Sequence, residues 1–114
     1  MDEVFLVYRN DGNPISIYSN FNSALKMVLT CYNIDIAAND RKYKKLAGNL
    51  KHEMPETAIR KLNARLKELT NEYEKLRLEK MMYEDGEITY LSYIEKQYLP
   101  ANATYKIEKF NIED

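Results

Sequence analysis

The most constraining feature of this sequence is a regular spacing of apolar residues that begins just after Pro55. Steps of three and four residues alternate along it, which places the side chains on one stripe of an α-helix and, in longer repeats, forms the seam of a coiled coil. The stripe consists of Ile59, Leu62, Leu66, Leu69, Tyr73 and Leu76. It predicts a long helical arm over residues 55–83, and Pro55 suits the first turn because the N–H that proline lacks would have no partner there.

An apolar stripe on such an arm requires a partner. One alternative is that the arm folds back on shorter helices of the same chain, which the sequence predicts over residues 40–50 and 90–99. The other is that the stripe pairs with the stripe of a second copy and forms a homodimer. We favour the homodimer, because a chain of 114 residues buries only about two-thirds of its surface on folding and gains from additional burial.

The rest of the chain predicts a small antiparallel sheet. A β-branched and aromatic run over residues 4–8 is followed by the turn sequence Asp11-Gly12 and by a returning strand over residues 15–18. In the returning strand Ile15 and Ile17 alternate with Ser16, as expected of a strand with one face in solvent. Alternation over residues 105–112 predicts a third strand. The fold class is therefore α+β, a single domain over residues 1–114 in which helices pack on the opening β-hairpin and the C-terminal strand.

Two further helical segments are less regular. The first helix is predicted to start at Ser19 or Asn20, whose side chains accept a hydrogen bond from the first turn, and to end near Asn33. Residues 87–99 fit a short helix that stops before Pro100, which we prefer, or a strand over residues 87–93.

Composition excludes several classes of protein. The 17 basic and 18 acidic side chains nearly cancel, and with a pI near 5.9 this argues against a polycationic protein that binds nucleic acid or membranes over its whole surface. One Cys and one His exclude a disulfide framework and the usual zinc sites. No apolar run approaches the roughly 20 residues of a membrane-spanning helix, and the acidic start is unlike a signal peptide. We expect a cytoplasmic protein with no membrane association.

No combination of residues indicates catalysis or cofactor binding. His52 lies in a predicted loop with no nucleophile marked beside it, and Cys31 fits a small buried side chain in the first helix. Three isolated glycines cannot form a phosphate-binding loop. Acidic pairs such as Glu72 with Glu74 fit a solvated helix face better than a metal site. We expect no catalytic residue, no metal and no cofactor.

Two features are candidate interaction surfaces. Residues 40–51 carry five basic side chains against one acidic side chain, a balance that suits nucleic-acid phosphates or an acidic protein. The residues of this basic stretch are Arg41, Lys42, Tyr43, Lys44, Lys45 and Lys51. The second feature is the content of ten tyrosines, because tyrosine is enriched at interface hot spots. A codon bias toward Lys, Asn, Ile and Tyr explains the same content equally well.

The two ends of the chain resemble small uncharacterised α+β proteins of bacteriophages and low-GC bacteria. The resemblance is carried by residues 4–8, the Asp11-Gly12 turn, residues 15–18, the helix start Ser19-Asn20-Phe21-Asn22-Ser23-Ala24 and the final strand Tyr105-Lys106-Ile107-Glu108-Lys109-Phe110. It implies a phage or mobile-element product and, by analogy, a small protein that binds and blocks a host enzyme or a defence complex such as a CRISPR-type effector. The resemblance carries over no functional residue.

Three functions are compatible with these features. The first is a non-enzymatic protein-binding module, a phage-encoded inhibitor of a host or bacterial defence protein. The second is a dimeric nucleic-acid-binding regulator that uses the basic stretch. The third, ranked well below the others, is a small hydrolase or metal enzyme that uses an acidic cluster.

Overall fold

The computed structural model describes residues 2–50, 54–85 and 102–112. Their elements follow in the order β1 (Asp2–Arg9), β2 (Pro14–Tyr18), α1 (Phe21–Ala47), α2 (Glu56–Glu84) and β3 (Tyr105–Ile112). The strands form one antiparallel sheet with β1 in the middle, between β2 and β3. This confirms the predicted α+β class and the predicted sheet. The choice between helix and strand for residues 87–99 lies outside the described residues.

The connection between β1 and β2 is a tight turn that requires its glycine. Gly12 has a φ of +91°, a conformation that glycine adopts at no steric cost and that other residues rarely adopt. The Arg9 N–H donates to the Asn13 carbonyl at 2.9 Å, and the Asp11 carboxylate accepts from the Asn13 N–H at 3.0 Å. The turn predicted from Asp11-Gly12 is therefore confirmed.

Helix α1 begins where the sequence predicts and continues well beyond the predicted end. The Asn20 side chain accepts a hydrogen bond from the Ser23 N–H at 2.8 Å and caps the helix. The predicted end near Asn33 is wrong, as is the separate helix over residues 40–50, because one helix runs from Phe21 to Ala47. Polar and β-branched residues lower helix propensity by well under 1 kcal/mol each, a cost that packing against a second helix outweighs.

Helix α2 confirms the long helix predicted after Pro55, and it runs antiparallel to α1. Two contacts define this arrangement: Tyr32 reaches Glu79, whereas Asn39, further along α1, reaches Leu69, which lies earlier in α2. The two helices form a helical hairpin about 40 Å long, given a rise of about 1.5 Å per residue. The molecule is correspondingly elongated, with extents of 67 × 23 × 19 Å.

The hydrophobic core lies where the hairpin meets one face of the sheet. Phe5 and Val7 of β1 point into it, together with Ile107 of β3. The rings of Phe5 and Phe21 meet edge to face with centroids 5.9 Å apart. Other buried residues of the core are Ala24, Leu25, Val28, Tyr32, Tyr83 and Tyr105. Among the described residues, the first half of α1 and the end of α2 pack at the sheet, and the rest of the helical hairpin extends away from it.

Candidate interaction surfaces

The face of the sheet opposite the core carries apolar side chains in solvent. Leu6 pairs with Ile17, and Val4 pairs with Phe110. Because paired residues share a face and successive residues alternate, these side chains point away from the face that carries Phe5. The exposed apolar residues of this outer face are Ile15, Ile17, Phe110 and Ile112.

The outer face reverses the expected polarity of β2. The alternation of two isoleucines with Ser16 suggested that the serine lies on the solvent side, but this assignment is wrong. Ser16 pairs with the buried Val7, and its Oγ is buried. Ile17, in contrast, is 65% exposed. An antiparallel sheet covered on one side normally presents polar residues on the other side, so this apolar outer face is a candidate protein-binding surface.

The predicted seam of α2 is distributed along the contact with α1. Leu66 and Leu69 are buried within this single chain, and Leu76 packs against the core at the sheet. Ile59 and Leu62 are half-buried. Leu66 and Leu69 are thus buried within one chain, which agrees with the first alternative, that the arm folds back on helices of its own chain. A homodimer through this seam stays a prediction.

A cleft opens beside this seam between α1 and α2. Its volume is about 180 Å³, and it is lined by Asn39, Asp40, Tyr43, Leu69, Thr70 and Tyr73. The Asn39 side chain is buried and donates to the Leu69 carbonyl at 3.1 Å, which fixes the helices beside the cleft. Tyr73, predicted as a seam residue, therefore faces Tyr43 of the predicted basic stretch across this space.

The basic stretch forms the exposed end of α1. Its described residues are all exposed, and they are Arg41, Lys42, Tyr43, Lys44 and Lys45. Lys51 lies outside the described residues. Lys44 pairs with Asp40 one turn earlier at 2.9 Å. The structure thus places five of the six predicted residues on one helical segment, with the aromatic ring of Tyr43 beside the cleft.

The return of α2 adds further positive charge to the same end of the molecule. We call residues 40–50 and 54–67 the hairpin end. It contains eight basic and two acidic side chains, a net charge of +6, while the rest of the chain has a net charge of −7. This separation of charge is invisible in the overall balance, because the two parts cancel almost completely. It was missed from the sequence because the basic residues of α2 are diluted by glutamates further along that helix.

A buried hydrogen-bonded junction fixes the other end of the hairpin to the sheet. Glu79 of α2 is only 5% exposed, and its Oε1 accepts from the Tyr32 hydroxyl at 2.8 Å and from the Thr104 N–H at 2.6 Å. The Lys75 ammonium lies 4.0 Å from its other carboxylate oxygen. A buried carboxylate is costly unless it is paired and hydrogen-bonded, so these contacts specify how α1, α2 and the start of β3 meet.

Two more tyrosines complete this junction. The Tyr83 hydroxyl donates to the Tyr105 carbonyl at 2.7 Å, and the Tyr105 hydroxyl donates to Asp35. The Arg9 guanidinium lies over the Tyr105 ring, 5.6 Å from its centroid. Burial raises the pKa of Tyr32, Tyr83 and Tyr105, and the neighbouring carboxylates of Glu79 or Asp35 raise it further. These phenols therefore stay neutral and act as hydrogen-bond donors.

The residues considered for chemistry have ordinary surroundings where they are described. Cys31 is half-buried against the core, and burial together with the nearby Asp35 raises the pKa of its thiol, which disfavours the nucleophilic thiolate. His52 lies outside the described residues. Within residues 2–50, 54–85 and 102–112, no group of three His, Cys, Asp or Glu side chains is arranged to hold a metal ion.

Two other observations bear on the sequence predictions. In the described part of the chain, neither helix is apolar enough over a sufficient length to cross a membrane. The tyrosine content has a structural explanation in part, because Tyr32, Tyr83 and Tyr105 are core residues. Tyr43 is the exposed tyrosine among those described.

Comparisons with known proteins identify no relative. No family model, no curated protein and no solved structure matches this chain.

Proposed function

We propose that this protein is a non-enzymatic protein-binding module that contacts its partner through the outer face of the sheet. The observation that supports this proposal is the exposure of Ile15, Ile17, Phe110 and Ile112 on one side of a three-stranded sheet. Apolar groups in contiguous patches are usually removed from water by a partner, since burial contributes about 25 cal/mol per Å². The strands hold these side chains on a rigid backbone, so little ordering is needed on binding.

The partner class in this proposal is a host or defence protein of a bacterium, and the effect is inhibition by occupation of the partner's surface. The partner would present an apolar patch of its own, because the outer face offers few charged groups to an acidic or basic surface. Glu108 and Lys106 lie among the apolar residues of this face and carry opposite charges. They would set the orientation of the partner more than its affinity.

The test compares two substitutions of the same kind at equally exposed isoleucines. Ile17 of the outer face is 65% exposed and Ile34 of α1 is 60% exposed. The wild-type chain, Ile17→Glu and Ile34→Glu are used as baits with a lysate of a low-GC bacterium. A captured protein is then purified and titrated against each variant by calorimetry. We expect binding by the wild type and Ile34→Glu, and a loss of at least tenfold in affinity for Ile17→Glu.

Two outcomes contradict the proposal. One is equal affinity of a purified partner for all three baits, which would place the interface elsewhere. The other is a wild-type dimer of about twice 13.5 kDa by light scattering that Ile17→Glu converts to a folded monomer. In that case the occupant of the outer face is a second copy of this chain.

A further inference from the structure

We infer that the hairpin end and the adjacent cleft between α1 and α2 bind single-stranded nucleic acid. The basic side chains hold the phosphates, and an unpaired nucleobase stacks on Tyr43 and Tyr73, the tyrosines that line the cleft. This surface lies on the helices and shares no residue with the outer face of the sheet. Failure of nucleic-acid binding would therefore leave the proposed protein-binding function untouched, and failure of protein binding would leave nucleic-acid binding untouched.

The hairpin end carries positive charge that ion pairs with carboxylates do not neutralise. Three cations of the hairpin end form ion pairs: Lys44 with Asp40, Arg60 with Glu56, and Arg65 with Glu68. In the described part of the chain, the remaining cations of the hairpin end have no carboxylate within 4.0 Å. They are Arg41, Lys42, Lys45, Lys61 and Lys67. Like charges held together on two rigid helices repel one another, and a polyanion relieves this repulsion with release of its counterions.

A second feature is the aromatic character of the cleft. Tyr43 and Tyr73 line it from opposite helices, and Leu69 forms part of its wall. Tyr43 is 38% exposed and lines the cleft, so part of this residue is accessible to a ligand there. Aromatic side chains next to a basic surface are the combination by which proteins bind single strands, because every base has a π-face and stacks without regard to sequence.

A third feature is the position of the charges around the cleft. Lys44 pairs with Asp40, a lining residue, and so stands at the α1 edge of the cleft. On α2, Lys67 precedes the lining residue Thr70 by three residues and is its neighbour on the helix surface. Lys67 therefore borders the cleft on α2, whereas the α1 edge carries the Lys44–Asp40 ion pair.

The glutamates of α2 are divided between two flanks of the helix. Successive residues of a helix are about 100° apart, so Glu68 and Thr70 lie on opposite sides of the buried Leu69. Glu68 is in addition paired with Arg65 at 2.8 Å. Glu74, four residues after Thr70, lies on the cleft flank but on the sheet side of the cleft. A phosphate chain that runs from the cleft in the other direction, toward the hairpin end, leaves Glu74 behind and passes Lys67.

A single strand fits these features better than a duplex or an acidic protein. The bases of a duplex are already stacked and paired, so an aromatic cleft gains nothing from it. An acidic protein would use the cations but would leave the cleft tyrosines without a planar partner. DNA and RNA single strands share the phosphate and base chemistry, and the experiment distinguishes them.

The test is fluorescence anisotropy of a labelled single strand of about 15 nucleotides, as DNA and as RNA, beside the DNA duplex of the same sequence. Each is titrated with the full chain at about 50 mM and about 200 mM salt. We expect the single strands to bind more tightly than the duplex and the affinity to fall steeply with salt. The tighter of the two single strands identifies the natural chemistry.

Matched variants separate the two contributions. In the double variant Lys45→Ala/Lys67→Ala, the fall of log affinity with log salt should become less steep by about 1.4. The control Lys26→Ala/Arg77→Ala removes two exposed cations outside the hairpin end and should leave this slope unchanged. Tyr43→Leu should weaken binding about tenfold, while Tyr43→Phe, which keeps the ring, should bind within about twofold of the wild type. Circular dichroism of each variant verifies the fold.

Three results would overturn the inference. The first is no binding of either single strand at about 50 mM salt and up to about 100 µM protein. The second is equal affinity for duplex and single strand, or an equal loss of affinity in Tyr43→Leu and Tyr43→Phe. Either result would show that no nucleobase stacks on the ring of Tyr43. The third is displacement of the strand by poly-glutamate of equal charge, which would show an acidic-protein surface instead.

Discussion

The two ends of the helical hairpin are built on different principles. At the sheet, the helices contact β1 and β3 through a core of apolar residues and three tyrosines whose hydroxyls all have acceptors. Toward the hairpin end, the described helices contact each other through residues such as Leu66 and Leu69, and the hairpin end has a net charge of +6. The sheet end therefore contains the main hydrophobic core of the described residues, and we expect it to contribute more to stability than the hairpin end.

The tyrosines at the two ends also have different surroundings. Tyr32 is fully buried and its hydroxyl donates to Glu79, so ring and hydroxyl both serve the fold. Tyr43 lies 11 residues further along the same helix, exposed between lysines. The same side chain is a structural element in one place and a candidate contact surface in the other, because helix α1 extends beyond the core.

The largest expected effect comes from truncation of these two tyrosines. Tyr32→Ala should lower the free energy of unfolding by about 4 kcal/mol, since it leaves a large cavity and removes a donor from the buried Glu79. Tyr43→Ala should lower it by less than about 1 kcal/mol. Urea unfolding followed by circular dichroism measures both values.

Such a loss approaches the whole stability of a small domain, so Tyr32→Phe provides a second variant that folds. It removes only the hydroxyl and should cost about 1 to 2 kcal/mol. Equal losses at residues 32 and 43 in the alanine variants would contradict the division of the hairpin into a structural end and a binding end.

The next effect tests whether the seam holds the two helices together. Leu69 is completely buried and Leu78 is 60% exposed. Leu69→Ala should lower the free energy of unfolding by about 3 kcal/mol, whereas Leu78→Ala should change it by less than about 0.5 kcal/mol. Amide hydrogen exchange should show that Leu69→Ala loosens the hairpin end more than the sheet. Uniform loss of protection would show instead that both ends unfold as one unit.

A pH titration sharpens the comparison, because the buried phenols among the described residues lie at the sheet end. The pKa values of Tyr32 and Tyr83 are raised above the ordinary value of 10.0 by burial and by Glu79. Above about pH 10 the unfolded chain releases these protons while the folded chain retains them, so the free energy of unfolding should fall as pH rises. The expected slope is about 1.4 kcal/mol per pH unit for each tyrosine.

The measurement is a series of urea unfolding curves between about pH 9 and pH 11.5. The stability that the phenols contribute is complete below pH 10 and is lost above it. Tyr32→Phe has one such phenol fewer and should show a shallower slope. A slope that does not change in this variant would indicate that lysine deprotonation, and not the junction, governs the alkaline transition.

The smallest expected effect concerns the charges of the hairpin end. Arg60 and Glu56 form an exposed pair at 2.7 Å, and exposed pairs contribute little because solvent screens them. Arg60→Ala should therefore change the free energy of unfolding by less than about 0.5 kcal/mol, as should Lys45→Ala/Lys67→Ala. A large loss in either variant would mean that these cations serve the fold.

The long helix and the sheet were predictable because their signals are local. The three-and-four spacing of α2 needs only neighbouring turns of one helix, and the Asp11-Gly12 turn needs only adjacent residues. The assignment of faces was less reliable. In β2, two isoleucines face solvent and Ser16 faces the core, because pairing with Val7 sets the face and local hydrophobicity does not.

The candidate sites were only partly predictable. The basic stretch was recognised in α1, but its extension by Lys61 and Lys67 of α2 depends on the fold that returns α2 beside α1. The cleft was not predicted, because its lining residues come from two segments about 30 positions apart. The outer face of the sheet was likewise hidden by the assumption that isoleucines in a strand point inward.

The sequence by itself determined the three strands, the Asp11-Gly12 turn, the start of α1 and the long helix after Pro55, since apolar spacing, capping residues and glycine act over a few residues. It did not determine the length of α1, the partner of the seam or the surroundings of Glu79. Those depend on contacts between residues far apart in the chain, such as Tyr32 with Glu79, 47 positions away, and Tyr105 with Asp35, 70 positions away. Only the tertiary structure decides such contacts, because the free energy of each one depends on the whole chain bringing both groups out of water together.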